Sequence, residues 1–107
     1  MAFDEGLAER IRGALAARSD VEERRMFGGI CFLVAGKMAC AVMGDELLVR
    51  VEPADVPALE SEPGAHRADM AGRRMQGWLL VAPEATADDG DLERWVRRGE
   101  ARASAVA

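Results

Sequence analysis

The sequence has few of the side chains from which most catalytic and metal sites are built. Its 107 residues include one histidine and two cysteines, whereas a structural zinc site takes four ligands. No Ser-His-Asp or Cys-His set can be assembled around His66, which lies in a predicted loop near Asp69. We interpret His66 as a solvated side chain, with a pH-sensitive contact as the alternative. We therefore predict that the protein is not an enzyme and uses neither a metal nor another cofactor.

An excess of positive charge and long apolar runs are also absent. The net charge is −5, and affinity for nucleic acid depends mainly on Lys and Arg displacing counterions from phosphates. We therefore expect no direct nucleic-acid binding. No stretch approaches the roughly 20 apolar residues of a membrane span, and Met1–Glu5 lacks the basic start of a signal peptide. We expect a cytoplasmic protein with reduced thiols and no membrane contact.

The residues that are present favour a single domain over residues 1–107. Half of them are apolar, which lets a chain of this length bury a core without disulfides. No repeat, low-complexity tract or interdomain linker is present. Near the N-terminus Phe3, Leu7, Ile11 and Leu15 recur at every fourth position, which predicts an amphipathic helix.

The pattern from Val21 to Glu52 is that of strands separated by turns. We predict strands over residues 22–27, 29–34, 38–43 and 47–51. The separators Gly28-Gly29, Gly36-Lys37 and Gly44-Asp45 contain glycine, which adopts turn conformations that residues with a Cβ resist. This arrangement predicts an antiparallel β-meander.

The second half of the chain alternates between helix and strand patterns. We predict a short helix over 54–60, a surface loop over 65–72, a last strand over 73–82 and a final helix over 88–103. The expected fold class is therefore α+β, with a meander sheet on which N-terminal, middle and C-terminal helices pack. The order of elements is α-β-β-β-β-α-β-α.

The register of the central hairpin determines where the two thiols lie. A turn at Gly36-Lys37 places Cys31 opposite Val42 and leaves both thiols on one face as diagonal neighbours. A turn at Ala35-Gly36 instead places Cys31 directly opposite Cys40. In either case we interpret the two cysteines as small buried hydrophobic residues, without an evident activating neighbour.

The same hairpin is apolar on both faces. An antiparallel sheet that faces water on one side alternates apolar and polar residues, and residues 30–34 and 39–43 do not alternate. Since monomers rarely expose large apolar patches, both faces need cover. Helices of the same chain or a second copy of the protein could supply it, so a homodimer is one expectation.

Several motifs together resemble one known family. Arg25-Met26-Phe27-Gly28-Gly29, then GKMACAV at Gly36–Val42, DELLVRV at Asp45–Val51 and MQGWLLV at Met75–Val81 are similar to the N-terminal domain of the TfoX/Sxy family. Ala39-Cys40-Ala41 departs from that pattern, because a larger aromatic residue often stands there. The residues assigned to the signature are Arg25, Met26, Phe27, Gly28, Gly29, Gly36, Met38, Gly77 and Trp78.

The resemblance implies a regulatory function. Full-length TfoX/Sxy proteins regulate natural competence together with the cyclic-AMP receptor protein, and they carry a second, C-terminal helical domain. This chain has no counterpart of that domain before Ala107. The resemblance therefore implies a single-domain regulatory or protein-interaction module whose partner is a protein, for example a transcription regulator.

The polar motifs leave one alternative function open. The pairs Arg24-Arg25 and Arg73-Arg74 would concentrate positive charge if their strands lay close together, which would form a site for a phosphate, another small anion or a carboxylate-rich partner. The alternative reading is that these residues, and Arg97-Arg98, form ion pairs with acidic residues, namely Glu22, Glu23, Glu52 and those before Leu92. Gly28-Gly29 lacks the spacing of a phosphate loop and is read as a turn or bulge. Trp78 and Trp95 are expected in the core or at its edge.

Overall fold

The structure, a computed structural model, describes residues 3–26, 28–70 and 73–106, without the side chains of Met70, Arg73 and Arg74. Phe27 of the predicted signature lies outside the described residues. The described elements belong to the α+β class, in agreement with the sequence pattern.

The structure describes four helices; three begin and end close to the predicted positions, and the short third one was not predicted. They are α1 (Glu5–Ala14), α2 (Val56–Glu60, after a 3₁₀ turn at Pro53–Asp55), α3 (Pro83–Thr86) and α4 (Asp89–Ala105). The two long helices begin at aspartates that satisfy free backbone N–H groups. The N–H of Leu7 donates to Asp4 Oδ1 at 3.1 Å, and the N–H of Asp91 donates to Asp88 Oδ2 at 3.2 Å.

Six antiparallel strands form one sheet. They are β1 (Val21–Met26), β2 (Gly29–Val34), β3 (Lys37–Met43), β4 (Glu46–Arg50), β5 (Ala65–Met70) and β6 (Arg73–Val81), in the order β1-β2-β3-β4-β6-β5. The predicted meander is therefore confirmed for the first four strands, and β6 pairs with β4. β5 lies outside β6 at the far edge.

The prediction of a surface loop over residues 65–72 is wrong, because residues 65–70 form the edge strand β5. Its sequence is polar, and within residues 65–69 Ala68 alone is fully buried. Two of its polar side chains have partners on other elements. His66 Nε2 lies 3.0 Å from Glu46 Oε2, and Arg67 Nε donates to Glu60 Oε1 at 2.9 Å. These long-range pairs could not be seen in the local pattern.

The central hairpin has neither of the two predicted pairings of the thiols. Its turn is Ala35-Gly36, whose φ angles of 53° and 81° are both positive, as in a type I′ turn. A bulge between Phe32 and Leu33 then shifts the register by one residue, so that Cys31 faces Ala41 and Cys40 faces Phe32. A shift of one residue exchanges the two faces of a strand. The two thiols consequently lie on opposite faces of the sheet.

The larger core lies between the sheet and the helices. We call this side of the sheet the helix face. Buried residues of α1 and α4, such as Ile11 and Trp95, pack there against inward residues of the strands, such as Phe32, Val49 and Leu79. Every buried apolar residue of the described helices belongs to this cluster.

Candidate functional site

The opposite side of the sheet carries a second apolar cluster that no described helix covers. Five buried strand residues form its floor, namely Cys31, Leu33, Ala41, Leu48 and Ala68. Six half-buried side chains lie over this floor, and we call them the methionine face: Met26, Met38, Met43, Met75, Trp78 and Leu80. The described helices thus cover one apolar side of the sheet, while long side chains of the sheet itself partly cover the other.

Strand alternation explains why the methionine face forms. In β4, Leu47 and Val49 point to the helix face, and Leu48 points to the methionine face between Glu46 and Arg50. All three apolar residues of this strand are buried. A sheet built from such strands has two apolar sides, which is the feature that the sequence of the hairpin predicts.

Charged residues surround the methionine face. Glu46 bonds to His66, whose side chain is 52% exposed, and Arg24 Nη2 lies 3.3 Å from Glu22 Oε2. The guanidinium of Arg50 lies 5.5 Å from the centre of the Trp78 ring and forms no ion pair with any residue that the structure describes. His66 is thus in a strand with a carboxylate partner, not in a loop beside Asp69.

The strand order does not bring the first two arginine pairs together, so the condition for an anion site between them is not met. β1 and β6 are separated by β2, β3 and β4, which corresponds to roughly 19 Å across a sheet. Arg24 and Arg25 also point to opposite faces, because Arg25 lies over the Phe3 ring at 5.2 Å on the helix face. The side chains of Arg73 and Arg74 lie outside the described residues.

The third arginine pair forms ion pairs, as the alternative reading proposes, but with other acidic partners than the reading names. Arg97 contacts Glu93 at 3.4 Å and Glu100 at 2.8 Å. Arg98 contacts Glu62 at 2.8 Å, and its guanidinium lies 4.4 Å from the centre of the Trp95 ring. The contacts of Arg97 lie within α4, and the contact of Arg98 with Glu62 connects α4 to the segment after α2.

The glycines of the signature shape the backbone in two different ways. Gly28 has a φ of 75°, a conformation that favours glycine. At Gly29 an added Cβ would lie 2.4 Å from the carbonyl oxygen of Val42, so glycine lets β2 and β3 approach closely. Gly77 combines both effects, with a φ of 78° and an added Cβ 3.1 Å from the carbonyl oxygen of Val51.

Three other signature residues lie on the same side of the sheet, although on different strands. Met26, Met38 and Trp78 all belong to the methionine face. Sequence reasoning did not single out Met43, Met75 or Leu80 as members of a common surface. For Met43 the reason is the bulge in β3, where one extra residue exchanges the faces of the strand between Met38 and Cys40.

Neither thiol has the environment of a nucleophile. Burial raises the pKa of Cys31, and burial together with the nearby charges of Cys31 and Glu100 raises the pKa of Cys40 to about 12. A reactive cysteine has a lowered pKa and is accessible to reagents. Among the described residues there is also no group of three His, Cys, Asp or Glu side chains that could hold a metal ion.

We expect both thiols to resist modification in the folded protein. At pH 8 a thiol whose pKa is about 12 is ionised in about one molecule in ten thousand. A thiol-labelling reagent should therefore modify Cys40 only after denaturation, and Cys31 slowly, because only half-buried methionines lie over it. Cys31→Ala and Cys40→Ala variants would assign each signal. Rapid labelling of either thiol in the native protein would contradict this prediction.

Fold and surface together define a class of protein. It is a small α+β protein with helices on one side of a six-stranded antiparallel sheet and an apolar, methionine-rich surface on the other. Within that class, residues 13–103 match the TfoX N-terminal domain family. This match covers most of the chain, and the protein belongs to that family.

A solved structure of a protein from Pseudomonas syringae, a structural genomics target, is similar to this one with a TM-score of 0.65 at 14% identity. The similarity covers 89% of this chain and 97% of the other, and it shows a shared fold. No curated protein matches the sequence. No described helix is long and apolar enough to cross a membrane.

Proposed function

We propose that the protein is a non-enzymatic interaction module that binds another protein through the methionine face. The observation that carries this proposal is the second apolar cluster, whose floor is at most 8% exposed and over which only half-buried strand side chains lie. Exposed contiguous apolar patches on monomers often mark interaction sites. Membership of the TfoX N-terminal domain family supports the proposal, since the regulators of this family act together with another protein.

The chemistry of the methionine face suits a protein partner. Methionine side chains are flexible and polarisable and adapt to irregular surfaces. Trp78 and Arg50 lie together at its border, and tryptophan and arginine are enriched among the residues that contribute most to protein binding. The cleft beside Trp78 has a volume of about 190 Å³, which is below the range of ligand pockets.

The regulatory part of the proposal comes from the family. We expect the protein to act in transcription control together with another regulator, and the net charge of −5 supports an indirect role over direct DNA binding. Salt-sensitive, tight binding of the purified protein to promoter DNA would contradict this part alone.

A matched pair of variants tests the interaction surface. Met38→Glu places a carboxylate on the methionine face close to Arg50, whose Nη1 lies 3.5 Å from the Met38 carbonyl oxygen. Ala101→Glu places one at an exposed position of α4, where it lines a cleft with Arg98 and Arg102. Both changes add one negative charge near an arginine, so folding should be retained.

We expect proteins that the wild type retains from a cell extract to be retained by Ala101→Glu and lost with Met38→Glu. Circular dichroism and thermal unfolding would verify that both variants are folded. Retention of the same proteins by all three forms would contradict the proposal, because the methionine face would then not be the binding surface.

A further inference from the structure

β4 carries opposite charges at the two ends of the methionine face. Glu46, Leu48 and Arg50 alternate toward this side, so that a negative, an apolar and a positive residue follow one another. Glu46 and Arg50 are four residues apart, which corresponds to about 13 Å along a strand. Leu48 lies midway and is 2% exposed. If the β4 strand of a second copy ran antiparallel over this one, each negative residue would therefore lie opposite a positive residue.

We propose that the partner that covers the methionine face is a second copy of this chain, in a face-to-face dimer. The proposal deepens the proposed function, on which it rests. The two-fold axis would lie between the two sheets and run across the strands at the level of Leu48. Homodimers with such an axis are the commonest oligomers of soluble proteins, and the same patch of both copies forms the contact.

This axis brings opposite charges together twice. It places Arg50 of each copy against Glu46 of the other, while the two Leu48 side chains meet at the centre. Arg50 forms no ion pair with a described residue of its own chain, so its charge is available. His66 contacts only Oε2 of Glu46, which leaves Oε1 to accept a hydrogen bond from the second copy.

The positions of two methionines are consistent with the same two-fold axis. Met38 lies at the Arg50 end of the sheet and Met43 at the Glu46 end, because Met43 pairs with Glu46 and the Arg50 guanidinium reaches the Met38 carbonyl oxygen. Rotation about the axis therefore places Met38 over Met43 of the second copy. Two flexible side chains that meet in this way can adjust to the usual crossing angle of about 30° between packed sheets.

The edge of the sheet is a less suitable place for association. The edge strand β1 exposes Glu22, Glu23, Arg24 and Arg25, and charged side chains on an edge oppose pairing with another strand. The methionine face itself is small. Six strands at the usual spacing, each five residues long, give a flat area of roughly 400 Å². This is about half of what each partner buries in a standard interface, so we expect a dissociation constant in the micromolar range.

Charge exchange on β4 tests the dimer and its axis together. Arg50→Glu alone should place like charges against each other at both contacts and weaken association at least about 10-fold, and Glu46→Arg alone should do the same. An equimolar mixture of these two variants restores both pairs in a heterodimer. The double variant Glu46→Arg with Arg50→Glu restores both pairs in a homodimer. Both should associate within about 3-fold of the wild type.

Sedimentation equilibrium up to about 100 micromolar protein measures these constants. A wild type that remains monomeric at this concentration would overturn the dimer, and so would single variants that associate as well as the wild type. Failure of the double variant and of the mixture to recover would overturn the axis and with it the proposed arrangement. If the wild type is monomeric but Met38→Glu still loses its retained proteins, the methionine face binds a different protein, and only the second copy is excluded.

Discussion

Replacement of Trp95 by alanine is expected to lower the free energy of unfolding by about 3–5 kcal/mol. Trp95 is among the largest fully buried side chains, with 1% of its surface exposed, and it joins α4 to the helix face of the sheet. Loss of the indole would leave a cavity that the close-packed strands cannot fill. Because domains of this size are stable by only about 5–15 kcal/mol, this variant should be marginally folded.

Trp78→Ala is the matched control. Trp78 is half-buried on the methionine face, so its loss removes less buried surface and leaves no enclosed cavity, and we expect a cost of about 1–2 kcal/mol. Urea unfolding monitored by circular dichroism measures both variants, and the remaining tryptophan of each variant supplies a second probe. Equal losses for the two variants would show that the two tryptophans are buried to a similar extent in solution.

The second large effect is expected for Gly99→Ala. Gly99 lies where α4 crosses the bulge of β3, and an added Cβ would be 2.4 Å from the carbonyl oxygen of Ala39 and 3.1 Å from Val49 Cγ2. The first of these atoms belongs to the backbone and cannot rotate away, so the helix must move off the sheet. We expect a loss of about 3 kcal/mol in the free energy of unfolding, at the upper end of overpacking effects.

Gly13→Ala tests whether this effect comes from contact or from glycine itself. Gly13 is also helical, but nothing lies within 4 Å of an added Cβ. Alanine there should stabilise α1 by up to about 1 kcal/mol, because alanine has the higher helix propensity. The same unfolding measurement compares the two variants. A Gly99→Ala protein as stable as the wild type would contradict the close approach of α4 to the bulge.

The contact at Gly99 also accounts for a small residue in β3. Ala39, Cys40 and Ala41 are all at most 1% exposed. Small side chains at Ala39 and Gly99 let the backbone of α4 approach the strand directly. A larger residue at position 39 would require α4 to be farther from the sheet.

Much of the fold could be predicted because its signals are local. The apolar repeat from Phe3 to Leu15 and the glycines at the turns predicted α1, the first four strands and the α+β class. β5 was missed because its polar residues His66 and Arg67 have acidic partners 20 and 7 residues away. Because these partners are distant in sequence, the polar sequence of the edge strand β5 resembles that of a solvated loop.

The candidate surface was harder to predict than the fold. The hairpin sequence indicated two apolar faces, but it did not show that helices would cover only one of them. The predicted anion site depended on the distance between β1 and β6, which the insertion of three strands between them makes large. The ion-pair reading agrees with the structure for Arg24 with Glu22, and Arg97 and Arg98 form ion pairs with acidic residues other than those expected.

By itself the sequence determined the types and order of most elements, the apolar character of both sides of the central strands and the absence of an evident catalytic set. These properties follow from periodicity, glycine positions and composition, which need no knowledge of distant contacts. Only the tertiary structure decided which side chains share the methionine face, where Cys31 and Cys40 lie and which charges meet. A single extra residue at the bulge in β3 reverses the faces of part of that strand, and strand order sets every long-range distance across the sheet.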